Sequence, residues 1–312
     1  DLRRLGALVA AMLAMHAGAM AQTAPGVTPA ANSTPAQDPA APVPVPGQNP
    51  GETTRAPAVV VTATRTAQDP FEAPQAIDLI DNQRLLRGGF RSTPQALREL
   101  PSVMVQETAP GQGSPYLRGF TGYQNLLLID GIEFNEDIYG AFNVGHRIPV
   151  AMIDRVEVIR GPGSAMYGGY AELGVISVHL KKPTLENEVL YHSGAGVMFD
   201  NRNATLGRAL GTAYYGASRR HVRFALSASG DFGHMSNRTA RDLYGETWDM
   251  SNERVASLFL HGHLNLYGLD VRVMVNRYDL ESAYPSYEFV DYSTGHYSYL
   301  ASVKYDWKLN AK

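Results

Sequence analysis

From residue 185 onward the chain alternates apolar and polar side chains with a period of two, and this constrains its fold more than any other feature. Within 221–229, Val222, Phe224, Leu226 and Ala228 share one face, opposite His221, Arg223, Ser227 and Ser229. Within 255–267 the even positions are Ala256, Leu258, Leu260, Gly262, Leu264 and Leu266, and the odd ones include Ser257, His261, His263 and Asn265. Leu269, Val271, Val273 and Val275 face away from Asp270, Arg272 and Asn276, and Tyr299, Ala301, Val303, Tyr305, Trp307 and Leu309 oppose Ser302, Lys304, Asp306 and Lys308. Strands of about 10 residues with one wholly apolar face and one charged face fit lipid on one side and water on the other. A half-buried sheet in a soluble sandwich shows the same alternation. Strand length, the aromatic residues Tyr299 and Trp307 towards a strand end, and the start of the chain favour the membrane. Roughly six such strands follow residue 185, and an open set would leave two unpaired edges in lipid, where every backbone group needs a partner. Further strands are therefore expected after Lys312.

The start of the chain is that of an exported protein. Arg3 and Arg4 precede an apolar run over 5–20 that closes on Ala19-Met20-Ala21, so 1–21 reads as a signal peptide. Residues 22–57 are rich in Pro and Ala, cannot bury a core, and read as an extended periplasmic tether. A short β-prone segment follows, Ala58-Val59-Val60-Val61-Thr62-Ala63-Thr64, which is either the first strand of the next domain or a strand that a partner captures at its own sheet edge. The chain has no cysteine, which excludes disulfides, zinc thiolates and cysteine nucleophiles. Its net charge of −3 leaves no electrostatic footprint for nucleic acid.

Between the two lies a compact unit of mixed helix and strand. Short strands are expected at 77–80, 103–105, 125–129, 155–159 and 175–180, with the run Leu126-Leu127-Leu128-Ile129 buried on both faces. Thr93 is expected to cap a helix with Pro94 at its first position and Ala96, Leu97 and Leu100 on one face. Ordered motifs punctuate this unit: Val60-Val61-Thr62-Ala63, Pro101-Ser102-Val103, Leu117-Arg118-Gly119-Phe120 and Leu128-Ile129-Asp130-Gly131-Ile132. The longest runs from Asp154 through Glu157, Arg160, Gly161, Pro162, Tyr167 and Gly168 to Gly174-Val175-Ile176-Ser177-Val178 and Lys181-Lys182-Pro183. Gly161, Gly163, Gly168 and Gly169 allow tight turns; no Gly-Lys-Ser/Thr and no helix-opening G-x-G-x-x-G accompanies them, which disfavours nucleotide binding.

This ordered set resembles the plug of the TonB-dependent outer-membrane receptors, by motif over 58–183 and by strand pattern beyond. Ser102 stands where that family has Gly, Ser177 and Leu180 where it has Asn and Thr, and Glu172-Leu173 where it has small residues. The resemblance implies an α+β plug domain followed by a transmembrane antiparallel β-barrel, incomplete here, with about six of about 22 strands. It divides the chain into 58–66 as TonB box region, 67–183 as plug and 184–312 as the first barrel strands. Val59, Val60, Val61, Thr62 and Ala63 would bind TonB. Arg118, Gly119, Asp130, Gly131, Glu157, Arg160, Gly161, Pro162, Tyr167 and Gly168 would form the plug motif and its barrel contacts, with Arg118 and Arg160 pairing to barrel carboxylates expected beyond Lys312. Tyr116, Phe120, Tyr123 and Tyr139, in loops on the extracellular side, are the substrate candidates.

The implied activity is import of a scarce small-molecule substrate, a ferric siderophore or other metal chelate first, with cobalamin, haem or oligosaccharide as alternatives. The implied partners are TonB with its inner-membrane motor complex and outer-membrane lipid, with no cofactor. The implied location is the outer membrane of a Gram-negative bacterium, with plug and N-terminus reached from the periplasm. A signalling receptor of the same family would need a folded domain where the tether stands. A passive porin or adhesin barrel would not need the plug motifs, and an exported enzyme would need catalytic groups that do not stand out here. Two polar groupings remain open: Asp130, Glu133, Glu136 and Asp137 as a calcium site or a solvated loop, and His261 with His263 as lumenal lining or a contact for a metal or chelate.

Overall fold

The computed structural model describes residues 76–307 except 102, 110–111, 120–123, 136–144, 146, 163–166, 201–202, 237, 242, 251–252, 286–288 and 306. The expected signal peptide, tether and TonB box, with Val59 to Ala63, lie outside the described residues, as do Phe120, Tyr123 and Tyr139.

The first described element is β1 (Ala76–Asp81), which runs straight into α1 (Asn82–Arg87). Asp81 makes that switch possible, because its carboxylate accepts the Arg84 N–H at 2.8 Å and satisfies one of the helix's free donors. The next helix, α2 (Thr93–Leu97), places Ser92 and not Thr93 at the cap position. Ser92 is extended (φ −147°, ψ 156°), while Thr93 is buried in the first turn and Pro94 supplies its fixed φ there.

β2 (Val103–Ala109) and β3 (Gln112–Leu117) form a separate hairpin. β4 (Asn125–Ile129) turns through Asp130-Gly131 into the short β5 (Ile132–Glu133). Both turn residues have positive φ, 50° and 82°, which is the two-residue hairpin geometry that Asp-Gly favours. A 3-10 turn (Val150–Met152) leads into β6 (Ile153–Arg160), and β7 (Gly174–Leu180) closes the sheet in the order β1-β6-β7-β4-β5.

All five residues of β4 are buried, as the unbroken apolar run requires, and β4 pairs in parallel with β7. One face of the sheet, with Leu127, Val156, Ile176 and Val178, packs on Leu85, Ala96 and Leu97 of the helices. The other, with Leu126, Leu128, Ile159 and Val175, is covered by Ala171, Tyr167 and Tyr170.

The alternating half forms six long antiparallel strands: β8 (Glu188–Asp200), β9 (Asn203–Ser218), β10 (Val222–His234), β13 (Arg254–Leu266), β14 (Leu269–Pro285) and β15 (Phe289–Tyr305). Each pairs with its neighbour in this sequence, and the small hairpin β11 (Thr239–Arg241) and β12 (Thr247–Asp249) sits in the β10–β13 loop. The burial pattern is inside out. Leu226 is 60% exposed and Val303 68%, while Asn276, Ser257 and His263 are buried. Apolar side chains left in the open and polar ones hidden describe a wall with hydrocarbon outside and a plugged, hydrated lumen inside. Among the described residues no helix is long and apolar enough to cross a membrane.

Two odd positions of β13 break the simple alternation. Val255 and Phe259 point into the lumen and are buried, and Phe259 joins the apolar cluster of the plug core.

Leu260, mid-strand on the open face of β13, should behave as a bilayer-midplane residue. Leu260→Arg is expected to lower stability in lipid vesicles by about 2–4 kcal/mol, and Leu266→Arg beside the β13–β14 turn by no more than about 1. Reversible urea unfolding in vesicles measures both, and equal losses would remove the lipid-facing assignment.

Candidate functional site

Cross-strand register arranges the inward side chains of the wall in rows. Thr212, Ser229, Phe259, Asn276 and Ser298 make one, Tyr214, Ser227, His261, Met274 and Leu300 the next, and Ala225, His263, Arg272 and Ser302 a third. The plug meets these rows through two polar attachments and one apolar patch.

The stronger attachment is Arg147. It is buried, and its guanidinium donates to Asn276 Oδ1 at 3.0 Å and to Ser298 Oγ at 2.6 Å while lying 4.5 Å from the Phe134 ring centroid. Asn276 returns a hydrogen bond from Nδ2 to the Arg147 carbonyl at 2.9 Å, so the side chain and the backbone of one plug residue are both held by β14. The second attachment is Asp130. Its carboxylate accepts the Leu180 N–H at 3.1 Å inside the plug, and its carbonyl accepts from Arg272 Nη1 at 3.0 Å. Arg272 is itself aimed by Asp270 at 2.7 Å, which also receives His263 at 2.8 Å. Between these levels Tyr214 Oη, Ser227 Oγ and His261 Nε2 are buried and have no hydrogen-bond partner among the described residues.

The residues singled out from the motifs are distributed differently from one another. Arg160 pairs with Asp78 of β1 at 2.9 Å, within the plug, and Arg118 donates to the Arg160 carbonyl at 3.3 Å. Glu157 is fully buried between Arg155 (2.8 Å) and His179 (3.1 Å). Gly161 and Gly168 have φ of 141° and 79°, conformations in which a side chain is strained. Arg118-Gly119 is a second pair at positive φ, Pro162 is exposed, and Tyr167 leans on the smaller core. Tyr116 lies in β3 and not in a loop, opposite Met104, and is half-buried. Asp130 does not sit in a solvated acidic loop: its backbone turns into the sheet and its carboxylate is buried beneath Arg272, 3.6 Å away. Among the described residues no group of three or more metal-ligating side chains comes together.

Ser177, His179 and Glu157 resemble a hydrolytic triad only in composition. Ser177 Oγ (3.2 Å) and Glu157 Oε1 both contact the same His179 nitrogen, Nε2, so the ring cannot relay a proton from one to the other. A cleft of about 490 Å³ beside them is lined by Arg155, Lys182, Arg272 and Lys304 against Asp130. Lys182 keeps an open side, yet loss of hydration still lowers its pKa, against the pull of Asp130 that raises it. A second cavity, about 280 Å³, lies between Phe90, Pro149 and Ala151 of the plug and His192, Thr212 and Ser229 of the wall.

Arg147, Arg272 and Asn276 escaped the motif reading. Arg272 and Asn276 are legible as lumenal from strand parity alone, but Arg147 lies in an aperiodic segment that carries no such signal.

Residues 69–175 match the family model described as TonB-dependent Receptor Plug Domain. The vitamin B12 transporter BtuB of Vibrio vulnificus is 39% identical over 123 residues, 38% of this chain and 20% of that protein. The vitamin B12 transporter BtuB of Vibrio cholerae is 24% identical over 253 residues, 79% of this chain and 40% of that one. The chain thus spans less than half the length of these curated relatives. Among solved structures, a variant of the ferric enterobactin receptor PfeA of Pseudomonas aeruginosa shares the fold with a TM-score of 0.57 at 16% identity, covering 76% of this chain and 39% of that one. The pyoverdine receptor FpvA of the same species does so at 0.54 and 19%, covering 72% and 30%.

Arg147→Ala should cost about 2–4 kcal/mol of plug attachment, because it strips charge-assisted bonds and strands Asn276 in a buried site. Asn276→Ala should cost about as much, and the double variant no more than the worse single one. Arg84→Ala, which breaks only the exposed Arg84–Glu99 pair, should cost under about 1 kcal/mol. Denaturant dependence of protease access to the plug in the membrane-embedded protein reads all four; additive losses would mean that Arg147 and Asn276 act separately.

Proposed function

We propose, for a chain that is the plug and opening barrel strands of a TonB-dependent receptor, that it belongs to an active importer of a scarce small molecule across the outer membrane of a Gram-negative bacterium. The observation that carries this reading is the seam just described: a plug whose apolar core meets the wall at one small patch and which is otherwise held by a few buried polar contacts. A passive pore needs no such plug, and a permanent blockage would be served better by a continuous apolar seam.

Substrate binds on the extracellular side, where Tyr116, Phe120, Tyr123 and Tyr139 are the candidate contacts. Binding there shifts the order of the plug N-terminus and frees the Val59, Val60, Val61, Thr62 and Ala63 segment towards the periplasm. TonB, drawing on the proton gradient through its inner-membrane motor complex, adds that segment to its own sheet edge. A few backbone hydrogen bonds of about 1 kcal/mol each give a modest, reversible grip. The pull rearranges the plug and need not unfold the barrel.

The cargo we assign first is a ferric siderophore or another metal chelate, in line with the siderophore receptors whose fold it shares. Cobalamin is a second reading with its own support, since the B12 transporter of Vibrio vulnificus reaches 39% identity. That stretch of 123 residues covers 38% of this chain, and the 24% identity to the B12 transporter of Vibrio cholerae runs over 79% of it.

Calorimetry of a peptide spanning residues 57–66 against the periplasmic domain of the cognate TonB tests the coupling. Saturable binding is expected, and Val60→Pro, which removes a ladder donor, should abolish it. Failure of both peptides would sink energy coupling through this segment and leave the barrel reading standing. Equilibrium binding of cyanocobalamin and of ferric siderophores to the full-length protein separates the two cargoes.

A further inference from the structure

The turns at one end of the barrel wall come together in one exposed surface. β9 passes to β10 through Arg219-Arg220-His221-Val222, closed by Arg219 N–H to the Val222 carbonyl (2.7 Å) and Val222 N–H to the Arg219 carbonyl (3.3 Å). Arg220 and His221 are therefore the projecting residues of the turn, and both are exposed. The neighbouring β13–β14 turn is Tyr267-Gly268, with φ of 48° and 91°. Gly suits such a turn; a Tyr at positive φ is an outlier that the surroundings must hold in place.

Two contacts hold it. The Tyr267 N–H donates to the His221 carbonyl at 3.2 Å, and the two rings stack at 5.0 Å between centroids and 15° between planes. The two turns are thereby joined into one rim, with the Tyr267 ring 69% exposed. Arg219 is steadied by Glu186 at 2.8 Å, whereas Arg220 has no carboxylate partner among the described residues.

Immediately above this rim the open face of the wall is apolar. Val222 pairs with Leu266 and Phe224 with Leu264, and Tyr215 lies 5.6 Å from the Phe224 ring. A cationic, aromatic edge set directly below a hydrocarbon-facing wall matches the two halves of one kind of molecule, an anionic headgroup and its acyl chains. At the opposite end, the β10–β13 loop mixes Arg238 and Arg241 with Glu246 and Asp249, whereas at this rim Glu186 is engaged by Arg219 and Arg220 has no carboxylate partner among the described residues.

We propose that Arg219, Arg220, His221 and Tyr267 form a docking site for the phosphate of an anionic phospholipid in the leaflet at the turn end of the barrel. Arg220 supplies the free charge, Arg219 a second donor set, and the His221–Tyr267 stack a rigid shelf at headgroup depth. Val222, Phe224, Leu264 and Leu266 receive the chains. The site rests on the barrel architecture and is independent of the cargo and of coupling to TonB.

The test is native mass spectrometry of the full-length protein released from nanodiscs of phosphatidylethanolamine with phosphatidylglycerol. The wild-type protein should retain phosphatidylglycerol selectively. Arg219→Gln with Arg220→Gln should lower retention by about fivefold for each charge removed. Tyr267→Asn, which suits the left-handed turn and removes only the ring, should give a smaller loss and guards against misfolding of the double variant. Arg238→Gln with Arg241→Gln, at the other end, should change nothing. The proposal is overturned by equal retention of phosphatidylethanolamine, by undiminished phosphatidylglycerol in both rim variants, or by displacement with millimolar glycerol phosphate, which would mark a free-phosphate site.

Discussion

Hydrocarbon offers a backbone no hydrogen-bonding partner, and this one constraint orders the rest of the molecule. It requires the six strands to pair along their length, and pairing fixes which side chains look outward. Leu226, Leu260 and Val303 can then face lipid only if Ser227, His261 and Ser302 face in. A polar lumen follows, and with it the problem of what fills it. The plug presents to that wall what the wall can use: Arg147 to Asn276 and Ser298, and the Asp130 turn to Arg272.

Magnitudes separate the attachments from decoration. Exposed pairs such as Arg84–Glu99 and Arg219–Glu186 are screened by solvent and contribute under about 1 kcal/mol each. The Arg147 contacts are buried and charge-assisted, and the same residue is gripped through side chain and carbonyl. The Arg208–Asp231 pair, joined through Nε at 2.6 Å, links β9 to β10.

How much of this was legible in the sequence depended on whether a residue lay in something periodic. Period two gave the open face of the wall, its lumenal face and its strand pairing, because a one-residue slip would turn every Leu of β13 into the lumen. The unbroken run of β4 announced a strand buried on both sides. Asp130-Gly131 carried a hairpin signal that pointed to β5, but the same Asp also counted towards an acidic cluster, and only tertiary contact with Leu180 and Arg272 decides its role. The helix cap was misread by one residue because Ser92 and Thr93 are both good caps and only backbone geometry chooses. Arg160 carries a motif expectation of a barrel carboxylate beyond Lys312, and among the described residues Asp78, 82 positions earlier, is brought beside it by β1–β6 pairing. Arg147 could not be found at all, since nothing local marks a loop arginine whose partners lie 129 and 151 residues away.

The chemistry of the seam also bears on why it is mixed. One apolar cluster runs from the plug core into Tyr214, Ala225, Phe259 and Met274 of the wall, so the plug is seated partly by burial. Were the whole seam apolar, each displaced side chain would lose about 1.5–3 kcal/mol with nothing in water to compensate, and release would resemble unfolding. Were it wholly polar, water would compete at every contact and the plug would leak. Buried polar contacts placed around a small apolar patch avoid both extremes, because each polar group that lets go is rehydrated and loses only its net worth of about 1 kcal/mol, or somewhat more where charge is involved. A seam of this kind joins plug and wall by burial at one patch and by hydrogen bonds around it.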